Sequence, residues 1–345
     1  MEKRVLINRW IGSDVKPVPI YDEASVSAAR RRIREVGESS NLSARLIESV
    51  ALIVSECAHN HLAHARQGYI TVRPVERQGV KGLEITAADI GPGIEKPSQA
   101  LAGAIQKEKS LGAGMSAVVA AADEIEFDNR LGEGLCVVAR KFESRPKALC
   151  SEVAIMGKPY PGEAVSGDDA VFFQSEAGFI AALSDGLGHG PEARRASARA
   201  IETVSRCRLF DLPQITNTVN GELTETRGCA MSIVRYAKDD RLLQFAGFGD
   251  IHSHIYSIRD AHFFSPTPFI LGDGALPQSR IRIEVAKGEI GSVLVMFTDG
   301  LKSRTTLKGQ LDVLRQPAIA IAQYLLENHS RGNDDALVLV ARFLR

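Results

Sequence analysis

No apolar run in this 345-residue chain approaches the roughly 20 residues needed to span a bilayer, so a membrane-spanning role is not expected. An excess of one charge is equally absent. Lysine plus arginine number 42 and aspartate plus glutamate 42, which leaves no bulk pull toward nucleic acid or a membrane surface. Cysteine is scarce. Cys57, Cys136, Cys150, Cys207 and Cys229 show no close pairing of the kind that a zinc ribbon or a disulfide framework needs. Charges at Glu2, Lys3 and Arg4 are followed by no long apolar segment, so no signal peptide is expected. These absences point to a soluble, cytoplasmic protein. The length predicts about two domains at roughly 100–200 residues each, and a hydrophobic content of 44% suffices for ordinary cores.

What is present centres on residues 181–190, AALSDGLGHG. A short apolar run delivers Asp185 to a turn dense in glycine, and an arginine- and alanine-rich helix is expected after Pro191. An acid on a rigid strand end, with open space beside it, suits a metal ligand. The pattern recurs where the apolar run 293–297 leads into Thr298, Asp299 and Gly300, and again where Asn333, Asp334 and Asp335 precede the strand-like run 336–340. Asp168, in Ser166-Gly167-Asp168-Asp169, is a further acid at a predicted strand edge. Asp-Gly is an ordinary turn pair taken singly, but acids at successive strand ends in this order suggest one oxygen-lined site for divalent cations. Helices over 192–207, 212–223 and about 317–328, with strands at 153–156, 170–174, 229–236, 242–247, 253–257 and 281–285, predict a layered β-sandwich flanked by helices.

The first half reads differently. A strand is expected over 5–11 and a helix over 25–36, whose Arg30, Arg31, Arg32 and Arg34 form a solvated face rather than a docking patch. Asn41 and Ser43 offer caps for a helix continuing to about residue 65, with apolar positions at helical spacing. On it Glu56 and Asn60 stand four apart and so share one face, a carboxylate suited to accept a proton beside a carboxamide suited to magnesium. His59, His61 and His64 lack the acidic partner of a zinc-protease helix and read as partly exposed histidines. Strands at 69–74 and 82–87 lead to Asp89-Ile90-Gly91-Pro92-Gly93-Ile94, an acid able to accept a hydrogen bond from an exocyclic amine beside glycines that admit a flat ring. After the charged stretch 106–110, Leu111-Gly112-Ala113-Gly114-Met115 opens a helix whose free N–H groups suit a phosphate. Strands at 124–129 and 134–142 complete a mostly antiparallel sheet.

Glu56 with Asn60, then Asp89-X-Gly91-X-Gly93, then Gly112-X-Gly114 resemble the three nucleotide-binding boxes of the GHKL ATPase superfamily, most of all the RsbT-like anti-sigma-factor and stressosome serine kinases. The resemblance covers residues 1–142. It implies an α/β sandwich binding ATP with Mg2+, in which Asp89 reads adenine, Asn60 meets magnesium, Gly91 and Gly93 shape the base loop, Gly112 and Gly114 lie at the phosphates, and Glu56 activates the acceptor hydroxyl. Residues 143–151 read as a linker. From 152 to 345 the order of Asp168, Asp185, Asp299 and Asp334 resembles the metal-dependent phosphatases related to protein phosphatase 2C, the RsbX-like stress and sporulation group nearest. That resemblance implies two or more Mn2+ or Mg2+ ions held by Asp185, the carbonyl of Gly186, Asp299 and Asp334, with Asp168 an outer member and Asp335 an alternative to Asp334. Asp250 stands in a segment similar to one of the family, with no catalytic role drawn from it, and His189 is expected to be structural. Together the resemblances imply an α/β (α+β) chain that is both a protein-serine/threonine kinase and a phosphatase. The implied partners are STAS-domain regulators, with a sigma factor or a phosphatase activator as alternatives. A front half that binds ATP without transferring phosphate is the rival reading.

Overall fold

The computed structural model describes residues 3–12, 15–65, 67–101, 111–146 and 149–344, and the expected charged stretch 106–110 lies outside them. The chain divides into two compact units, Met1–Ala148 and Leu149–Arg345.

The first unit opens with α1 (Lys3–Ile11), where the sequence suggests a strand. Leu6, Ile7 and Trp10 recur at helical spacing, so one helix face buries Leu6 and Ile7 while the Trp10 indole N–H donates to Asp128 at 2.8 Å. β1 (Val18–Ile20) leads to α2 (Glu23–Ser39), started by a reciprocal capping box between Asp22 and Ser25. Its Arg30, Arg31, Arg32 and Arg34 are exposed. The central helix α3 (Ala44–His64) begins at Ser43, whose hydroxyl accepts from the Leu46 amide, and buries Val50, Ile53, Val54 and Cys57. The hairpin of β2 (Gly68–Arg77) and β3 (Val80–Asp89) follows, then α4 (Pro97–Leu101), α5 (Leu111–Ala121), β4 (Glu124–Arg130) and β5 (Gly134–Phe142). Within this unit the strands run in the order β1-β2-β3-β5-β4, every neighbouring pair antiparallel.

The second unit contains β6 (Ser151–Lys158), β7 (Asp168–Ser175), β8 (Gly178–Gly186), α6 (Gly190–Cys207) and α7 (Leu212–Glu222). Then come β9 (Cys229–Ala237), β10 (Leu242–Phe248), β11 (His252–Tyr256), β12 (Ala261–Phe263) and β13 (Glu284–Lys287). β14 (Val293–Phe297), α8 (Leu311–Leu314), α9 (Ala318–His329) and β15 (Ala336–Phe343) complete it. The strand expected at 281–285 starts later, because a 3-10 turn at Gln278–Arg280 precedes it.

Two layers form, ordered β13-β10-β9-β8-β7 and β6-β15-β14-β11-β12 within this unit. Side chains alternate along a strand. On β8, Phe179, Ala181 and Leu183 join the core shared with Leu294, Met296, Leu337 and Leu339. Ile180 and Ala182 turn to the other side, against Ala200, Ile201 and Val204 of α6 and Ile215 and Val219 of α7. Leu183 and Leu337 are wholly buried, each stabilising the sandwich by roughly 2 kcal/mol. Extending the alternation past Leu183 places Asp185 on the inter-sheet side. The same parity places Asp168 with Ala170, and Thr298 with Met296, on that side. The sandwich thus carries its acids at one end of its own core.

Candidate active sites

In the first unit, Glu56 and Asn60 project from the middle of α3 toward α5. A Cβ added at Gly114 would lie 2.8 Å from Glu56 Oε2 and 3.3 Å from Asn60 Oδ1, so only a glycine lets the helices approach this closely. Asn60 Nδ2 is buried without a hydrogen-bond partner, so the carboxamide is not committed to the protein's own network. Gly112 and Gly114 both lie within α5, so the glycines sit inside the helix rather than before it. Asp89 ends β3 and is buried. Burial pushes its carboxyl up to about 7 against the backbone N–H groups of Leu135 and Gly91, which favour the ionised form. Asn60, His64, Asp89, Gly93, Met115 and Leu135 help line a narrow, open cleft.

Two residues that sequence reasoning misses hold this cleft. Asn129 on β4 grips the loop after β3 from both sides, accepting from the Ile94 amide at 2.9 Å and donating to the Ile94 carbonyl at 2.7 Å. Gly93, at φ +70°, lies against it, since a Cβ there would come within 2.8 Å of Asn129 Oδ1. His61, expected to be partly exposed, is buried, with Nε2 3.7 Å from Asp89 Oδ2. Burial lowers its pKa to about 4, so the ring is neutral beneath Asp89. A buried acid at a strand end, beside glycines and apolar walls, fits an amine-bearing base. The Glu56–Asn60 pair under α5 fits the magnesium and phosphates of a nucleotide.

In the second unit Asp168 and Asp185 stand directly opposite each other on β7 and β8. Asp168 Oδ2 accepts from the Thr298 hydroxyl at 2.7 Å, while its Oδ1 is buried without a partner. Asp299 follows Thr298 and shares a hydrogen bond with Asp185. Each Asp-Gly turn needs its glycine for close approach. A Cβ at Gly186 would run into the Ala193 carbonyl of α6, and one at Gly300 into the carbonyl of Asp335.

Burial first, then the charges of Asp335, Asp299 and Asp334, pushes Asp168 well above the ordinary carboxylate range. Asp185 is raised likewise, by burial and then by Asp168, Asp299, Asp250 and Asp334. Asp299 is raised by burial, Asp250 and Asp334. Acids that raise one another, with an orphaned carboxylate oxygen among them, are the donor set of hard divalent cations. Among the described residues no three His, Cys, Asp or Glu side chains already enclose one point. Such cations would therefore keep water and backbone oxygens in their shells, as magnesium usually does.

Asp334 and Asp335 separate by their partners. Asp335 accepts from the Tyr160 amide at 2.6 Å and the Gly167 amide at 2.9 Å, so both its oxygens brace the loop before Asp168. Among the described residues, Asp334 accepts only from the next amide, at 2.9 Å. Asp250 joins the cluster as a charge acting on Asp185 and Asp299. It follows a strand and a glycine, Gly249 at φ +78°, so its glycine precedes the acid where those of Asp185 and Asp299 follow it. His189 Nδ1 lies 2.8 Å from Glu163 Oε1, with its ring stacked on Tyr160 at 4.4 Å.

The histidine kinase-like ATPase domain family matches residues 21–141, and the stage II sporulation protein E family matches residues 175–344. The chain is similar to the serine/threonine-protein kinase RsbT of Bacillus subtilis (strain 168), 31% identical over 130 residues that make up 38% of this chain and 98% of the relative. It is also similar to the phosphoserine phosphatase RsbX of the same organism, 26% identical over 140 residues, 41% of this chain and 69% of the relative. A solved structure from work on the bacterial stressosome as a modular system matches at TM-score 0.53 and 30% identity, covering 56% of this chain and 99% of that one. The crystal structure of RsbX in complex with magnesium matches at TM-score 0.50 and 20% identity, over 57% of this chain and all of the other, which shows the fold. The chain therefore belongs to the RsbT family of histidine kinase-like ATPase domains through its first unit, and carries behind it a SpoIIE- and RsbX-like phosphatase domain of the protein phosphatase 2C type.

Proposed function

We propose that the chain is a bifunctional cytoplasmic regulator. Its first unit phosphorylates a serine or threonine of a STAS-type partner, and its second removes phosphate from such a partner. The observation that carries this reading is the presence of two separate acid sites of different chemistry, one a single buried carboxylate in a cleft and one a cluster of mutually repelling carboxylates.

In the first unit Asp89 accepts a hydrogen bond from the exocyclic amine of adenine, and Asn60 offers its carboxamide oxygen to Mg2+. Gly112 and Gly114 leave room for the phosphates. Glu56 takes the proton of the partner's hydroxyl as that oxygen attacks the terminal phosphorus of ATP, with ADP leaving. In the second unit Asp185, Asp299, Asp334 and the Gly186 carbonyl hold Mn2+ or Mg2+, with Asp168 behind them. Bound cations there supply a deprotonated water and neutralise charge on the phosphoryl group. The chain's own residues keep the acids in place: Thr298 holds Asp168, and Asp335 holds the loop before it. Water replaces serine on phosphorus, giving free serine and inorganic phosphate.

Transfer of radiolabel from ATP to a purified STAS partner, and its manganese-dependent release, tests both halves. Binding without label transfer would assign the first unit to ATP-loaded capture of a sigma factor or a phosphatase activator. Opposed activities on one residue would waste ATP, so the two act on different residues or under different partners. Steady ATP loss with one partner, dependent on both Glu56 and Asp185, would refute that separation.

A further inference from the structure

We infer that Arg227 and Arg331 are the substrate-phosphate receptors of the second unit, two arginines held against the Gly188 and Gly300 turns that follow Asp185 and Asp299, where their guanidinium groups seat a phosphomonoester dianion. The inference rests on the phosphatase reading above. Its starting point is charge. Asp168, Asp185, Asp250, Asp299, Asp334 and Asp335 bring six carboxylates to one place. Two divalent cations would answer only four of those six charges. A dianionic substrate approaching such a site needs positive charge supplied by the protein.

Arg331 is a cation that acts on this cluster. It opposes the rise of Asp299, and it also acts on the neighbouring ring of His252. Its backbone is fixed there. The Arg331 amide donates to the Gly300 carbonyl at 2.8 Å, the Lys302 amide donates to the His329 carbonyl at 2.9 Å, and Leu301 bridges Ser330. The loop carrying Arg331 is thus pinned to the turn carrying Asp299. Arg227 approaches from the other Asp-Gly turn. The Leu187 amide donates to the Gly228 carbonyl at 3.2 Å, and a Cβ at Gly188 would lie 3.1 Å from Arg227 Nη1. Gly188, at φ +86°, therefore leaves the space in which this guanidinium lies.

Both arginines are exposed, and among the described residues neither guanidinium has a hydrogen-bond or ion-pair partner. Other arginines of the unit are engaged: Arg194 donates to the Asp168 carbonyl, and Arg199, Arg206 and Arg342 pair with carboxylates. Arginine presents its N–H groups as a fork matched to phosphate oxygens, and Arg227 and Arg331 are unpartnered arginines carried beside the two Asp-Gly turns.

The test uses the full chain with manganese, p-nitrophenyl phosphate as substrate and inorganic phosphate as competing product. Arg331→Ala and Arg227→Ala are each expected to raise both KM and the inhibition constant of phosphate about tenfold. The manganese midpoint and the thermal unfolding temperature should stay unchanged. Arg331→Lys and Arg227→Lys should recover part of the loss, since charge returns without the fork. If wild type hydrolyses the substrate and the alanine variants keep its KM and phosphate inhibition, the inference is overturned. It is overturned equally if the effect appears only as a shifted manganese midpoint, because the arginines would then be tuning the acids. A wild type that hydrolyses nothing at any manganese concentration overturns the phosphatase reading itself.

Discussion

Asp89 in the first unit and Asp185 in the second are both buried aspartates ending a strand, yet their surroundings differ in kind. Asp89 meets two backbone amides and a neutral histidine, and no second carboxylate acts on it among its main influences. Asp185 faces four other acids. A lone carboxylate held by backbone amides fits the reading of a neutral amine proposed above. A crowd of carboxylates that raise one another fits relief by cations. The same residue type at the same kind of strand end thus stands alone in one unit and concentrates charge in the other.

The comparison breaks most visibly if either site serves both activities. Asp185→Asn or Asp299→Asn should lower hydrolysis of p-nitrophenyl phosphate at least about a hundredfold while leaving ATP affinity, read by calorimetry, as in wild type. Glu56→Gln should slow phosphate transfer to the partner by about a hundredfold or more with ATP binding retained. Asp89→Asn should weaken ATP binding about tenfold, by trading an ionised acceptor for a neutral one, and leave hydrolysis untouched. A loss that crossed from one activity to the other would contradict the division of labour.

The smallest effect sharpens the contrast through pH. An unfolded aspartate titrates near 4, whereas Asp89 is raised to about 7 in the fold. The folded state therefore holds a proton that the unfolded chain releases. Stability falls as pH climbs from about 4, and the loss levels off near 7. Nucleotide-free Asp89→Asn should gain on wild type in thermal unfolding, by more at pH 8 than at pH 5. Trp10, the only tryptophan of the chain, reports on this unit by fluorescence. His61, lowered to about 4, acts in the opposite sense, costing stability as pH falls below about 6.5, and it does so in both proteins. A gain independent of pH would show that Asp89 is not perturbed.

Much of this is legible in the chain because glycine and acid spacing encode turns directly. Asp185-Gly186 and Asp299-Gly300 can be placed from apolar run, acid and glycine alone, and Glu56 with Asn60 from helical spacing. Choosing between Asp334 and Asp335 cannot be done that way. What separates the two in the structure is the pair of amides of Tyr160 and Gly167 bound by Asp335, more than 160 residues away in sequence. The burial of His61 is hidden because a polar residue on a helix says nothing of what packs over it, here Gly68, which leaves no space for a Cβ beside the ring. α1 reads as a strand because Val5-Leu6-Ile7 alternates with nothing, and only Trp10 marks the helical face. Asp250 has its glycine before rather than after the acid, so the Asp-Gly pattern passes over it, and its charge on Asp185 and Asp299 reveals its place among them.

The grip of Asp335 on Tyr160 and Gly167 has a bearing on biosynthesis. Those two amides emerge from the ribosome 175 and 168 residues before the carboxylate that receives them. The hydrolytic centre therefore cannot mature piecemeal as the chain is translated, since its earliest loop waits for the last strand. Nascent chains stopped short of residue 335 should carry a finished nucleotide cleft and no working phosphatase, so premature termination would leave any kinase activity unopposed.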